Sequence, residues 1–453
     1  MTTCSERLAD FITGFDLADV PEPLIGIAET GFIDTIGVML AGAQEPAAKL
    51  VAEMVAAQGD QPAASVVGQR IRTAPENAAL INGTATQALD YDLSFMIGQS
   101  TAALTPGLLP LAETSGTTPR ELIAAYIVGT EVCGTLARCF PTLSSDGGWH
   151  GAGVLGTIAA TAAMAKLIHL PPGAIVNAIG IAASMPSGIS INFGTMTKPL
   201  HSGLAARNAM MAVRLGEKGF TASADALEGK SGFFTSYGRG LDWTITPFDD
   251  LGKSFTLIDP GYKIKPFACG GLLHCTIEAA LAIGENFQPS ADNIERIVLG
   301  VGPHAKNRAI DRYPWSEDSA RFSLRYLVAY ALIHGAPMVS AFTAEGYDDD
   351  SVRALATLCE TELDDEFATI TGSGYSPGRV TIILKDGKRF EKAVTVPTGT
   401  RDTPMGAERI KAKFLSCASP VLGPDAASHL YNDLKELGAR ATLKDLWPQL
   451  SAG

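Results

Sequence analysis

Charge is scarce in this chain. Only 18% of its 453 residues are charged, against 46% hydrophobic, and mean hydropathy is +0.15. So apolar a composition implies tightly packed Ala- and Gly-rich helices, a large buried subunit interface, or both. Basic residues are outnumbered, 35 to 48, for a net charge of -13. No basic face for nucleic acid is expected, although a local cationic pocket for an anion fits inside an acidic protein. Paired cysteines are missing too. The seven are odd in number and loosely spaced, with no Cys-x-x-Cys, which argues against a disulfide framework or a zinc ribbon. Free thiols in a reducing cytoplasm are the simple reading. The first residues lead into a mixed amphipathic segment, not an apolar signal core. The most apolar run, Gly151 to Leu170, holds Lys166 and His169. It has the length of a membrane span but reads as a buried core helix. No membrane association is expected.

The length points to two domains, possibly three by size alone. Residues 5 to 260 read mainly as helices. Apolar residues recur at helical spacing from Pro21, and over Ala74–Ala88, Pro119–Phe140, Gly153–Ile168, Ala174–Ser184 and Ser202–Lys218. The texture changes near Ile258. Ile294–Val301 and Gly378–Leu384 are β-branched and strand-like, and Arg389–Val396 is a third candidate, paired through an Asp-Gly turn. Helices are expected between them at Leu272–Glu285 and Ser323–Ile333. The tail after Pro404 is helical again. The expected fold is therefore mainly α: an all-helical domain over 1–258 and 402–453, with a smaller α+β domain over 259–401 inserted before the C-terminal helices.

One segment stands out chemically, Gly194-Thr-Met-Thr-Lys-Pro-Leu-His201. Pro199 suits the first turn of a helix. Lys198 then lies just before a helix start, whose free N–H groups and positive dipole end attract anions. With His201 it makes a plausible carboxylate site. Four more stretches draw attention: Asn82 to Asp92, carrying Asp90 and Asp92; Gly147 to Gly153, carrying His150; Lys263 to His274, carrying Lys265; and Ala320 to Tyr326. Singly, each has a plainer reading as a loop, a cap or a packed aromatic.

Together and in this order, they resemble the MmgE/PrpD family, which includes 2-methylcitrate dehydratase, cis-aconitate decarboxylase and iminodisuccinate epimerase. The resemblance runs over nearly the whole chain. It is carried by Phe32 to Gly42, Asn82 to Asp92, Trp149-His150, Thr197-Lys-Pro-Leu-His201, Leu227 to Phe233, Lys265 to His274 and Phe322 to Tyr326. The Thr-Lys-Pro-x-His element is the most specific. The resemblance implies a large helical domain with an α+β lid, a homodimer, and a site between the two domains that needs no metal or organic cofactor. It implies small di- or tricarboxylates as substrates, attacked at a carbon next to a carboxylate. Carried over by position, the catalytic candidates are Asp90, His150, Lys198, His274 and Tyr326. His201, Gln99 and Lys265 are substrate-binding candidates.

Two departures bear on the reaction. The family's His-Pro-Ser corresponds here to Met96-Ile-Gly-Gln-Ser, with Gln99 or Ser100 at the histidine's place, and Gln87 replaces another common histidine. An amide orients a carboxylate but does not shuttle protons near neutral pH. The resemblance favours a hydro-lyase of the 2-methylcitrate dehydratase type. A dicarboxylate epimerase, a cis-aconitate-type decarboxylase and a non-catalytic carboxylate binder are the alternatives. Lys198→Ala is expected to abolish turnover with the fold intact. The histidines are scattered and form no His-x-x-x-His pair. Dialysis against a strong chelator is expected to leave the rate unchanged. A loss restored by one added divalent ion would contradict that.

Overall fold

The computed structural model describes residues 2–59, 61–285, 287, 290–369 and 376–451. The chain divides into two compact units, residues 1–263 with 406–453, and residues 264–405. The protein is mainly helical, with one four-stranded sheet and a minor two-stranded pairing among the described residues.

The first unit contains α1 (Cys4–Gly14), α2 (Pro23–Gly42), α3 (Pro46–Ala56), α4 (Pro75–Ala88), α5 (Leu104–Ser115), α6 (Pro119–Cys139), α7 (Gly151–Leu167), α8 (Pro172–Ala182) and α9 (Thr197–Glu217). Start signals are local. Thr3 and Thr118 each form a capping box with a glutamate three residues on, and Pro119 fills the first position of α6. The Gly151 segment is a 17-residue helix, buried along its length except at Lys166. Two other helices, α2 and α6, are long and apolar enough to cross a membrane by length and composition. Their apolar windows are 67% and 94% buried inside the protein, as core helices are.

The residues that matter most are set by the crossing of α4 and α9. A Cβ on Gly83 would lie 2.6 Å from the Gly203 Cα, and one on Gly203 would lie 2.3 Å from the Leu80 carbonyl oxygen. The two backbones therefore touch, as only glycine allows. This contact brings the C-terminal end of α4 to the first turn of α9. That turn begins at Thr197, so Lys198 lies inside the helix, not before it as expected. Pro199 is tolerated because the first four N–H groups of a helix have no partner within it. After the second unit the chain returns in α13 (Ala407–Leu422), which packs on α2, and α14 (Pro424–Lys435).

The second unit holds α10 (His274–Gly284), α11 (Leu324–His334), α12 (Asp350–Thr357) and the sheet: β1 (Ile294–Val301), β2 (Cys359–Leu363), β3 (Gly378–Leu384) and β4 (Arg389–Val394). The strand order is β2-β1-β3-β4. Strand β1 pairs parallel with β2 and antiparallel with β3, and β3–β4 is an antiparallel hairpin. Asp386-Gly387 turns that hairpin, with Gly387 at φ 87° and the Asp386 carboxylate accepting from the Lys388 N–H at 2.9 Å. Helix α10 covers β3 and β4. Strand β2 was not expected. It is short and mostly polar, Cys359-Glu-Thr-Glu-Leu, because it is a sheet edge.

Gly203→Val is expected to lower stability by about 1–3 kcal/mol or more, since a side chain there overpacks against backbone that cannot yield. Denaturant unfolding measures this. A midpoint unchanged from the native protein would mean the α4–α9 contact is looser than described.

Candidate active site

Two buried constellations meet in the first unit. The first starts from the end of α4. Beyond Ala88 the chain turns sharply, and Asp90 takes φ 48°, a left-handed conformation unusual outside glycine. That conformation costs about 1–2 kcal/mol, and aspartate is among the residues that accept it. It turns the Asp90 carboxylate toward α9. There the Lys198 ammonium and the Gln99 amide both donate to the same oxygen, Asp90 Oδ1. The Gln99 amide nitrogen is also 3.4 Å from Asp92 Oδ1. Asp90, Asp92, Gln99 and Lys198 are all buried, none more than 7% exposed.

The neighbouring Ser100, the other candidate for the missing histidine's place, donates to the Phe95 carbonyl at 2.7 Å. Ser100 thus closes its own loop. Gln99 is the residue that addresses the carboxylates.

The second constellation is a histidine pair. His150 is the N-cap residue of α7, yet its side chain does not cap the helix. Its Nδ1 lies 3.1 Å from Nδ1 of His201, one turn into α9. One ring must donate and the other accept, so the two imidazoles share a single proton on that axis. Burial first, and the Lys198 charge second, hold His201 below the usual histidine range. Which ring donates on that axis depends on the tautomer.

Two residues that the sequence did not single out build this pair. Gly188 adopts φ 111° and accepts the His150 N–H on its carbonyl at 2.9 Å. A Cβ on Gly188 would lie 2.9 Å from the His201 ring. Any side chain there strains the backbone and displaces the imidazole. Phe193 packs edge-on against His150, with ring centroids 5.1 Å apart, and lies 5.9 Å from the Lys198 ammonium. It joins the two constellations. Met-Pro-Ser-Gly188 was a weak signal for a constrained turn, and Phe193 carried none.

The other three expected residues, Lys265, His274 and Tyr326, lie in the second unit, where the loop before His274 is tied to Arg321 by the Gly270 N–H at 3.0 Å and by the Ala268 carbonyl at 3.1 Å. Lys265 is buried, 1% exposed. His274 opens α10, with Nε2 3.3 Å from the Cys269 carbonyl and its ring edge-on to Phe267. The Tyr326 hydroxyl donates to the Ala341 carbonyl and is 3.2 Å from that of Gly346. Burial first, then the neighbouring Tyr330 and Tyr313, push its ionisation far up. In this arrangement Tyr326 ties down the 341–346 segment. Among the described residues, no three His, Cys, Asp or Glu side chains group as metal ligands.

The MmgE/PrpD N-terminal domain matches residues 6–246, and the MmgE/PrpD C-terminal domain matches residues 267–434. The chain belongs to the MmgE/PrpD family. Its similar relatives include a cis-aconitate decarboxylase-like protein of Aspergillus oryzae, 25% identical over 98% of this chain and 96% of that protein. The cis-aconitate decarboxylases of Mus musculus and Homo sapiens are 27% and 26% identical, each over 96% of this chain and 91% and 92% of theirs. Within this family the Lys198–Asp90 pair and the His150–His201 pair occupy the segments that carried the resemblance.

The burial of Lys198 changes what its removal should do. Breaking a buried ion pair from one side costs about 3–5 kcal/mol, so the fold is not expected to be indifferent to Lys198→Ala. Lys198→Met should lose turnover by on the order of 100-fold or more and melt lower. Adding Asp90→Asn should restore much of the stability but none of the activity. Turnover and melting temperature measured together check this. Near-native turnover in Lys198→Met would remove Lys198 from the chemistry.

Proposed function

We propose that this protein is a cofactor-independent lyase that handles a proton at a carbon next to a carboxylate, on a small di- or tricarboxylic acid. The observation that carries the reading is the pairing of a buried cation–carboxylate cluster with a buried histidine dyad on one helix start. A proton next to a carboxylate is weakly acidic. Its transfer needs a positioned base and stabilisation of the charge that spreads into the carboxylate. His150 suits the proton transfer. With Nδ1 turned to His201, exchange with a substrate runs through Nε2, and His201 accepts the hydrogen bond of the resulting imidazolium. Lys198, in the first turn of α9, supplies positive charge where the helix dipole adds to it. Asp90 holds that ammonium in place, and Gln99 in turn donates to Asp90.

The relatives' names favour decarboxylation of a cis-aconitate-like acid, and the family resemblance also admits dehydration of a 2-methylcitrate-like acid. A second reading, epimerisation of a dicarboxylate, is favoured by Gln99. Its amide stands where a family histidine is usual, and it cannot act as the acid for a leaving group. Epimerisation needs no such acid. We further propose that the protein works as a cytoplasmic homodimer.

The reading is tested in heavy water, with cis-aconitate, 2-methylcitrate, citrate and chiral dicarboxylates followed by NMR. A lyase or epimerase incorporates deuterium next to a carboxylate even when net conversion is small; a pure binder does not. Gln99→His is expected to raise decarboxylation or dehydration at least 10-fold, since general acid–base groups typically contribute about 100- to 10,000-fold. Brisk native turnover of 2-methylcitrate, unimproved by the substitution, would show that the missing histidine is not decisive.

A further inference from the structure

The strained turn that presents Asp90 and Asp92 is held from its far side by a second buried ion pair, which lies outside the cluster described above. Lys413 is on α13, near the C-terminus, more than 300 residues from the turn in sequence. Its ammonium donates to Asp34 Oδ1 at 2.6 Å and to the Tyr91 carbonyl at 2.8 Å. It also lies 4.0 Å from the centroid of the Tyr91 ring. Asp34, on α2, turns its other oxygen to the Leu93 N–H at 2.9 Å. Lysine and aspartate side chains are 4% and 0% exposed. The pair is placed by the packing of α13 on α2, where Gly37 leaves room for the ring of Phe414, the residue after Lys413.

These contacts fall on alternate residues of one short stretch. Asp90 and Asp92 face the Lys198–Gln99 side, while the backbone of Tyr91 and Leu93 is gripped by Lys413 and Asp34. A carbonyl and an N–H two residues apart are fixed by the two ends of one ion pair. The residue preceding Tyr91 is the one at φ 48°. A left-handed aspartate persists only where its surroundings over-determine it, and this clamp supplies that determination. A hydrophobic pair would fill the same volume but would leave the Tyr91 carbonyl and the Leu93 N–H without these partners.

We propose that Lys413, through Asp34, is a positioning residue for the Asp90 and Asp92 carboxylates: the buried pair fixes the turn whose geometry aims them at Lys198 and Gln99. Lys413 touches neither carboxylate, and its effect passes through the backbone of Tyr91 and Leu93. The C-terminal helices thus have a task beyond closing the first unit, because they set the geometry of a turn near the N-terminal third of the chain. The functional part of this inference rests on the lyase reading above; the structural part does not.

The test uses the full-length protein and two independent readouts. Amide hydrogen exchange is followed over residues 89–95, with α6 as internal reference. Deuterium incorporation into substrate is measured per folded molecule. The variants are Lys413→Met, Lys413→Arg and the paired Lys413→Met/Asp34→Leu, which removes both charges. Exchange over 89–95 is expected to accelerate at least 10-fold in Lys413→Met and in the paired variant while α6 stays protected. Activity should fall at least 10-fold in both and recover in part in Lys413→Arg, which keeps a donor for the Tyr91 carbonyl. A folded paired variant with native exchange over 89–95 overturns the proposal. So does uniform acceleration that includes α6, or failure of both Met variants to fold, since the pair would then be a general folding element. Local loosening with unchanged turnover overturns the positioning role. If the native protein turns over none of the acids, the lyase reading falls, while the exchange data still decide whether the clamp exists.

Discussion

A buried ammonium cannot be left alone in a protein interior. Lys198 and Asp90 satisfy each other, and much of the first unit is arranged so that they do. The helix that carries Lys198 must approach the end of the helix before Asp90 closely, which requires the glycine contact between α4 and α9. The turn after α4 must enter a left-handed conformation to aim the carboxylate. Gln99 must come round from a separate loop to share it. Each of these is locally unfavourable or neutral, and together they let the two buried charges meet, which matters because removing either from water alone is costly.

The same economy shapes the histidines. His150 stands at the start of α7, where a residue with a side-chain oxygen would ordinarily cap the helix. Its ring instead turns to His201, whose pKa burial and the nearby lysine lower. The first turn of α9 therefore supplies both the Lys198 charge and the ring that pairs with His150. Phe193 packs against both Lys198 and His150.

Gln99 is, with Gln87, one of two places at which this chain departs from the family pattern it resembles, and its contacts are defined. Its amide spans two carboxylates without titrating. An imidazole in that place would carry a proton that depends on pH and on the substrate. The amide makes the Asp90–Asp92 side of the cluster a fixed scaffold.

Much was legible in the residues themselves. The helix periods placed α4, α6, α7 and α8 to within two residues, β-branching placed β1 and β3, and Asp-Gly placed the β3–β4 turn. These depend on contacts within a few residues. Lys198, His150 and Asp90 were legible as candidates because their segments carry family patterns. What the sequence could not show was pairing across distance. Nothing local says that His201 backs His150, that Gln99 and not Ser100 faces Asp90, or that Tyr326 spends its hydroxyl on a backbone carbonyl. Nor does anything near Lys413 or Asp34 announce that they grip the turn between Asp90 and Leu93. Local propensity is encoded residue by residue, whereas a buried charge takes whatever partner the packing of remote helices delivers, and only the tertiary structure decides which one that is.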